Sequence, residues 1–313
     1  MISSDFLNPI NSIKLIAMDR YLDEMINLYN LKKFPKVLLL TGKKGIGKFT
    51  LVIHFLNYIF TLNEKKPYDL KNKIINPESV FYNQLLNHTS QDVIFIQTDE
   101  SKNIKIEDIR NLKSTLSRTS LSNNLRFTII DEVEFINENS VNALLKLLEE
   151  PTINNFFILI NNQQSDLAET ISSRSLKTSI FLNSIEVNSV INYLLKNNNI
   201  KNLIDFNNDL TPGLLLQFNE RFLKFNIDKN DNFLTKINKL LNAFKKNKDK
   251  ILINLTLFLI DQYFLRLVQI NEKKISILLD VKSSIVKNIN DLIYYNLNIN
   301  SVINSIEVKL KNV

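Results

Sequence analysis

Val37-Leu38-Leu39-Leu40-Thr41-Gly42-Lys43-Lys44-Gly45-Ile46-Gly47-Lys48-Phe49-Thr50 sets an apolar run directly before three closely spaced glycines and a lysine. The chain has only four glycines in 313 residues, so their concentration here marks a place where backbone bends tightly and approaches something closely. The segment from Gly42 nearly fits the phosphate-binding loop GxxxxGK[ST], in the strand-to-helix setting that this motif requires. Gly42, Gly45 and Gly47 would let successive N–H groups cradle phosphate oxygens, and Lys48 would reach the terminal phosphates. One position departs. Phe49 stands where Ser or Thr would hold Mg²⁺ through a hydroxyl, and Thr50 comes one residue late, about 100° further round a helix. Phosphate binding is the reading of the loop, with hydrolysis in question; a glycine-rich turn without a ligand stays open beside it.

Working outward, helical segments alternate with short apolar runs from Ile10 to about Phe181, which predicts a parallel sheet covered by helices on both faces. The expected strands are Val37 to Leu40, Val93 to Ile96, Phe127 to Ile130 and Phe156 to Ile160. Helices are expected over Phe49 to Leu62, Ile106 to Ser117 and Glu138 to Glu150. In the last, Val141, Leu144, Leu145 and Leu148 repeat at helical spacing before Pro151 stops it. Beyond Phe181 the strand signal ends: a small helical unit runs to about Asn219, broken at Thr211-Pro212-Gly213, and amphipathic helical segments follow. Asn63 to Asn76 reads as a mobile insertion.

A hydrophobic fraction of 44% with 23% charged residues is that of a globular domain protein. The absence of cysteine excludes a disulfide framework, a thiol nucleophile and Cys-based zinc sites. Only His54 and His88 are available, too little for a histidine metal site, and both read as packing or surface residues. Met1-Ile2-Ser3-Ser4-Asp5 lacks the regions of a signal peptide, so a cytoplasmic place is expected. Ile251 to Val268 is interrupted by Asn254, Asp261, Gln262 and Arg266, which predicts a buried bundle helix and no membrane partner. The net charge of +7 permits a polyanionic partner such as DNA. Yet Lys236, Lys239, Lys245, Lys246, Lys248 and Lys250 read equally well as a solvated helix face.

Phe127-Thr128-Ile129-Ile130-Asp131-Glu132 is an apolar strand that ends in two carboxylates. In a P-loop nucleotidase the first acid orients Mg²⁺ and the second can polarise the attacking water. Ala143-Leu144-Leu145-Lys146-Leu147-Leu148-Glu149-Glu150-Pro151, the run Phe157 to Asn162 and Ser173-Arg174-Ser175 follow in that order.

Through GKKGIGK, IIDE, NALLKLLEEP and Ser173-Arg174-Ser175, the first 180 or so residues resemble the clamp-loader branch of the AAA+ ATPases, and within it the delta-prime subunits of bacterial DNA polymerase III. The second half matches more loosely, through helical character and Thr211-Pro212-Gly213. The resemblance implies an α/β AAA+ P-loop domain (1-181), an all-α lid (182-222) and an all-α collar (223-313) that assembles a five-subunit ring. The implied partners are the gamma/tau and delta subunits, the sliding clamp and, through the complex, primed DNA. ATP or ADP is the implied nucleotide. Lys48 becomes the phosphate lysine, Asp131 and Glu132 the acidic pair, with Asp131 the residue toward Mg²⁺. Asn161 becomes a polar sensor at a strand end, and Arg174 an arginine finger that acts in trans on the neighbouring subunit's γ-phosphate. An exposed arginine that ends a short helix and a strand-end turn asparagine are the plain alternatives for the last two.

Three departures bear on activity. Phe49 removes the Mg²⁺ hydroxyl, and Leu214 takes a place where relatives often carry a basic lid residue. Ser175 replaces the cysteine of the tripeptide at little cost. The family's four-cysteine zinc module, expected between Leu62 and His88, has no cysteines to form it. These changes favour a subunit with an impaired site that completes its neighbour's. The other readings are a gamma/tau-like ATPase motor, for which Lys48, Asp131 and Glu132 speak, and a DNA-binding module with a vestigial nucleotide fold.

Overall fold

Short runs of Val, Ile, Leu and Phe form strands where both sheet faces are covered. The computed structural model describes residues 4–97, 104–117, 125–151, 154–204, 210–270 and 274–311. Its strands are β1 (Val37–Thr41), β2 (Val93–Ile96), β3 (Arg126–Ile130), β4 (Asn155–Asn161) and β5 (Leu176–Ser179). They pair in parallel in the order β2-β3-β4-β1-β5. β5 escapes the apolar pattern because Leu-Lys-Thr-Ser is mostly exposed and joins the sheet through its pairing with β1. The chain leaves β1 for the far edge, returns through β3 and β4, and then crosses to β1's other side. In open parallel sheets a ligand crevice lies outside the strand ends at such a reversal.

Around the sheet lie α1 (Asp19–Asn30), α2 (Lys48–Thr61), α3 (Val80–Leu86), α4 (Ile106–Ser117), α5 (Glu138–Glu149), α6 (Glu169–Ser172) and α7 (Ser184–Asn197). Asn137 starts α5 by accepting the Ser140 N–H at 2.8 Å. The apolar stripe of α5, with Leu144 and Leu148, packs with Ile109 and Leu112 of α4 on Leu39, Ile130, Phe157 and Leu159. The other face carries rings: Phe55 of α2 meets Phe127 edge-on and stacks on Phe34. α2 is buried almost all round, as a helix without a polar face must be. Its His54 is fully buried, with Nδ1 2.9 Å from the Tyr68 hydroxyl and Nε2 2.9 Å from the Ser12 carbonyl oxygen. Burial pushes the imidazole down to about 4, so it is neutral near pH 7.

The segment from Asn63 to Asn76 is tied down and does not form the expected loose insertion. Tyr68 is buried and its N–H donates to Thr61 Oγ1 at 2.8 Å. Ile75 is fully buried and donates to the Ile13 carbonyl at 2.8 Å. Lys73 pairs with Asp23, and Glu64 accepts the Phe81 N–H of α3 at 3.0 Å.

Backbone contacts divide the chain into two compact units: Met1–Lys201 with Phe206–Leu215, and Asn202–Asp205 with Leu216–Val313. α8 (Pro212–Lys224) begins in the first and continues in the second. In the second unit α9 (Phe233–Asn247), α10 (Lys250–Ile270), α11 (Ile275–Tyr295) and α12 (Ile299–Lys311) pack in a closed circuit, each on the next and α12 on α9. Among the described residues α10 alone is long and apolar enough to cross a membrane by length and composition. Its stripe Leu252, Leu255, Thr256, Ile260 and Phe264 is buried in the bundle. Lys245, Lys246, Lys248 and Lys250 are exposed at the α9–α10 junction, as on a solvated face, whereas Lys236 and Lys239 are half-buried, Lys239 pairing with Asp231.

Candidate functional site

The loop between β1 and α2 is shaped by its glycines. Thr41 pairs with Asn161 of β4, and the Gly42 N–H donates to the Asn161 carbonyl at 3.2 Å. A Cβ on Gly42 would sit 2.5 Å from the Ile180 carbonyl oxygen, where the chain leaving β5 passes. Gly45 (φ +77°) and Gly47 (φ +109°) adopt left-handed conformations that side chains disfavour. Lys48 is buried and its Nζ donates to the carbonyls of Gly42 at 2.6 Å and Lys43 at 2.9 Å. Burial pushes the amine down to about 8, with Asp131 and Glu134 pulling it upward. The N–H groups of residues 45–49 find no hydrogen-bond partner among the described residues. Several adjacent free donors at a helix start make an anion-binding concavity, so the loop fits a phosphate.

The donor set does not fit Mg²⁺ at the expected place. Phe49 is 7% exposed and its ring lies 5.5 Å from that of Phe95 in β2, so the position after the lysine belongs to the core. Thr50 is half-buried one residue on. Among the described residues no group of three His, Cys, Asp or Glu could hold a metal ion.

The end of β3 supplies the acids. Asp131 Oδ1 accepts the Glu132 N–H at 2.8 Å and Asn162 Nδ2 at 3.1 Å. Burial and the adjacent Glu132 push its carboxyl up to about 6. Glu132 sits at φ +56°, an unfavourable region for a non-glycine residue, and this turn brings Oε1 to 2.6 Å from Lys44 Nζ of the loop. Asn161 accepts the Gln163 N–H through Oδ1 at 2.7 Å, closing a local turn. Its neighbour Asn162 is the one that reaches Asp131. Glu134, buried two residues past the pair, accepts the main-chain N–H of Asn162 at 3.0 Å and of Gln164 at 3.4 Å. Its Oε2 has no hydrogen-bond partner among the described residues. Asn162 and Glu134 therefore join the site, although neither stands out in the sequence. The only signals are the acid two places after Asp131-Glu132 and the doubled asparagine at a strand end.

Arg174 follows α6 on the surface. Its Nε and Nη2 both reach Glu149 Oε1, at 2.7 and 2.6 Å, and Nη1 donates to the Thr170 carbonyl at 3.0 Å. Glu149 is the last residue of α5, so the NALLKLLEEP helix and the Ser-Arg-Ser tripeptide meet in space.

A family model described as DNA polymerase III, delta subunit, matches residues 18–182. The DNA polymerase III subunit gamma of Buchnera aphidicola subsp. Schizaphis graminum is 28% identical over 187 residues, 58% of this chain and 48% of that protein. The subunit delta' of the same organism is 28% identical over 183 residues, 58% of this chain and 53% of its own. The match thus spans about half the length of these two relatives. A solved gamma subunit-related protein from Thermotoga maritima aligns over 91% of this chain and 97% of its own, with 18% identity and a TM-score of 0.46. Because the family model covers more than half of the 313 residues and runs from α1 through all five strands, the chain belongs to the DNA polymerase III delta-subunit family.

Proposed function

We propose that this chain is a delta-prime-type subunit of a DNA polymerase III clamp loader, which helps place a sliding clamp on primed DNA. It works in the cytoplasm beside gamma/tau and delta subunits. In this reading residues 1-181 form the nucleotide-type domain, 182-222 the lid and 223-313 the collar that joins the ring. The chain holds ATP or ADP weakly through Gly42, Gly45, Gly47 and Lys48. Turnover at its own site is negligible, and Arg174 serves the neighbouring site. The observation that carries this reading is Phe49 built into the core against Phe95, where a working site needs a hydroxyl.

A nucleotide bound in the neighbour would supply a γ-phosphoryl group whose developing charge a guanidinium neutralises. The exposed Arg174, held at Nε and Nη2 by Glu149, suits an outward-facing role. The competing motor reading draws on the buried Lys48 and on Asp131 and Glu132 at the end of β3.

The test is an ordering of two variants in the reconstituted loader. Arg174→Ala is expected to lower clamp- and DNA-stimulated ATPase by about tenfold or more with assembly intact, given the size of finger effects. Lys48→Ala should lower it by less than about twofold, because this chain's own site contributes little turnover. The reverse order would make the chain a motor and end the finger assignment.

A further inference from the structure

Most carbonyls of the phosphate loop are tied back, while the N–H groups of residues 45–49 have no hydrogen-bond partner among the described residues. Gly42 and Lys43 give their carbonyl oxygens to Lys48 Nζ, and Gly47 gives its own to the Leu51 N–H at 2.9 Å. Two more, at the crest of the loop, are held from outside it. Lys44 O accepts from Thr211 Oγ1 at 2.7 Å, and Gly45 O accepts the Gly213 N–H at 2.8 Å. All of these residues lie in the first unit.

The contact depends on two missing side chains. A Cβ on Gly213 would stand 2.8 Å from Gly45 Cα and 3.0 Å from its carbonyl oxygen. A Cβ on Gly45 would stand 2.7 Å from Thr211 Oγ1 and 3.0 Å from the Leu214 N. At Gly213 the clash is with backbone alone and cannot be relieved by swinging a side chain; at Gly45 it is with the Thr211 hydroxyl that braces the loop, with the backbone of Leu214 and Gly213 close behind it. The chain's fourth glycine therefore serves the same loop as the other three. A peptide unit has opposed N–H and C=O groups, so fixing the carbonyls outward fixes the N–H groups of the next residues inward.

We infer that Thr211 and Gly213 are positioning residues for the phosphate site: they hold the carbonyls of Lys44 and Gly45 away so that the loop presents its free N–H groups to an anionic ligand. They act on the loop and need not touch the ligand. Leu214 beside them has no charge to offer a phosphate, which leaves backbone positioning as what this turn contributes. The inference rests on the nucleotide reading above, and its test separates the two.

Wild type, Gly213→Ala, Thr211→Val and Thr211→Ser full-length chains are compared by hydrogen–deuterium exchange across residues 42–50 without ligand, and by calorimetric titration with ADP. Lys48→Ala is the control for binding at the loop. Two hydrogen bonds are lost in Gly213→Ala and one in Thr211→Val, so ADP affinity should fall about tenfold and about threefold respectively. Loop exchange should quicken in the same order, and Thr211→Ser, which keeps the hydroxyl, should behave as wild type. Unchanged exchange and affinity in Gly213→Ala and Thr211→Val would overturn the inference. So would tighter ADP binding, because the turn would then obstruct the loop. Quickened exchange with no Lys48-dependent ADP binding in wild type would refute the nucleotide reading, and the positioning role with it, while leaving the brace itself intact. Should Gly213→Ala fail to fold, the Thr211 pair decides the outcome alone.

Discussion

Restoring the missing hydroxyl by Phe49→Thr is expected to destabilise the first unit more than it repairs the site. Phe49 is 7% exposed and its ring packs at a tilt against Phe95, so nearly its whole side chain is removed from water. Burying a phenylalanine contributes about 2–3 kcal/mol, and Phe→Ala in a core costs about 3–5 kcal/mol because a cavity adds to the lost transfer term. Threonine recovers one methyl group but brings a hydroxyl into an apolar contact, leaving a net cost of about 3–4 kcal/mol. For a unit of this size that lowers Tm by roughly 10 °C. Scanning calorimetry of the full chain reads the shift, with Phe49→Leu as a partner variant expected to lose only about 1–2 kcal/mol. A Phe49→Thr cost of less than about 0.5 kcal/mol, the range of ordinary surface substitutions, would refute the placement of this ring in the core. The claim that the core has taken over the metal position would fall with it.

Acidification tests the buried histidine. His54 binds a proton only near pH 4 in the folded chain and near 6.5 when unfolded, so the unfolded state holds more protons between those values. Stability should therefore fall as pH drops through this window, by about 3 kcal/mol for this group. Tyr68 and the Ser12 carbonyl face the ring, and neither supplies a carboxylate to hold an imidazolium. Urea midpoints at pH 7 and pH 4.5 for wild type and His54→Gln measure the difference, and an equal pH slope in both would refute it. At the surface, Glu149→Gln should change stability by less than about 0.5 kcal/mol, because its pair with Arg174 is 36% and 47% exposed. A larger loss in a denaturant titration would make Arg174 a structural residue and weaken its proposed role in trans.

What the sequence reveals follows from which forces leave a local trace. β1 to β4 are legible because strands buried on both faces must be apolar throughout, and α5 because its stripe repeats at 3.6 residues and ends at Pro151. β5 is held by backbone pairing to β1, and a hydrogen-bonded edge needs no apolar residues. In the same way, the polar composition of residues 63–76 hides Tyr68 and Ile75, whose burial depends on Thr61 and Ile13 elsewhere in the chain. At the site, the loop and the acidic pair are read directly, since each is a contiguous run whose residue types carry the chemistry. Asn161 and Asn162 cannot be told apart so easily. Successive side chains at a strand end point to opposite faces, and which of them meets Asp131 depends on how β3 and β4 end side by side, with Ile130 opposite Leu159.

Gly213 marks the limit of such reading. After Thr211-Pro212 it looks like part of an ordinary helix start, where proline is well placed and glycine has no evident task. Its meaning appears only when the turn is set against Gly45, where two backbones meet at a distance that any side chain would forbid. A missing side chain leaves no pattern of its own in a sequence, and it becomes evidence only when the atoms that would have touched it are known. The scarcity of glycine in this chain is the one clue available beforehand. With three of four assigned to a single loop, the fourth is best sought against that loop, and the geometry of Lys44, Gly45, Thr211 and Gly213 bears this out.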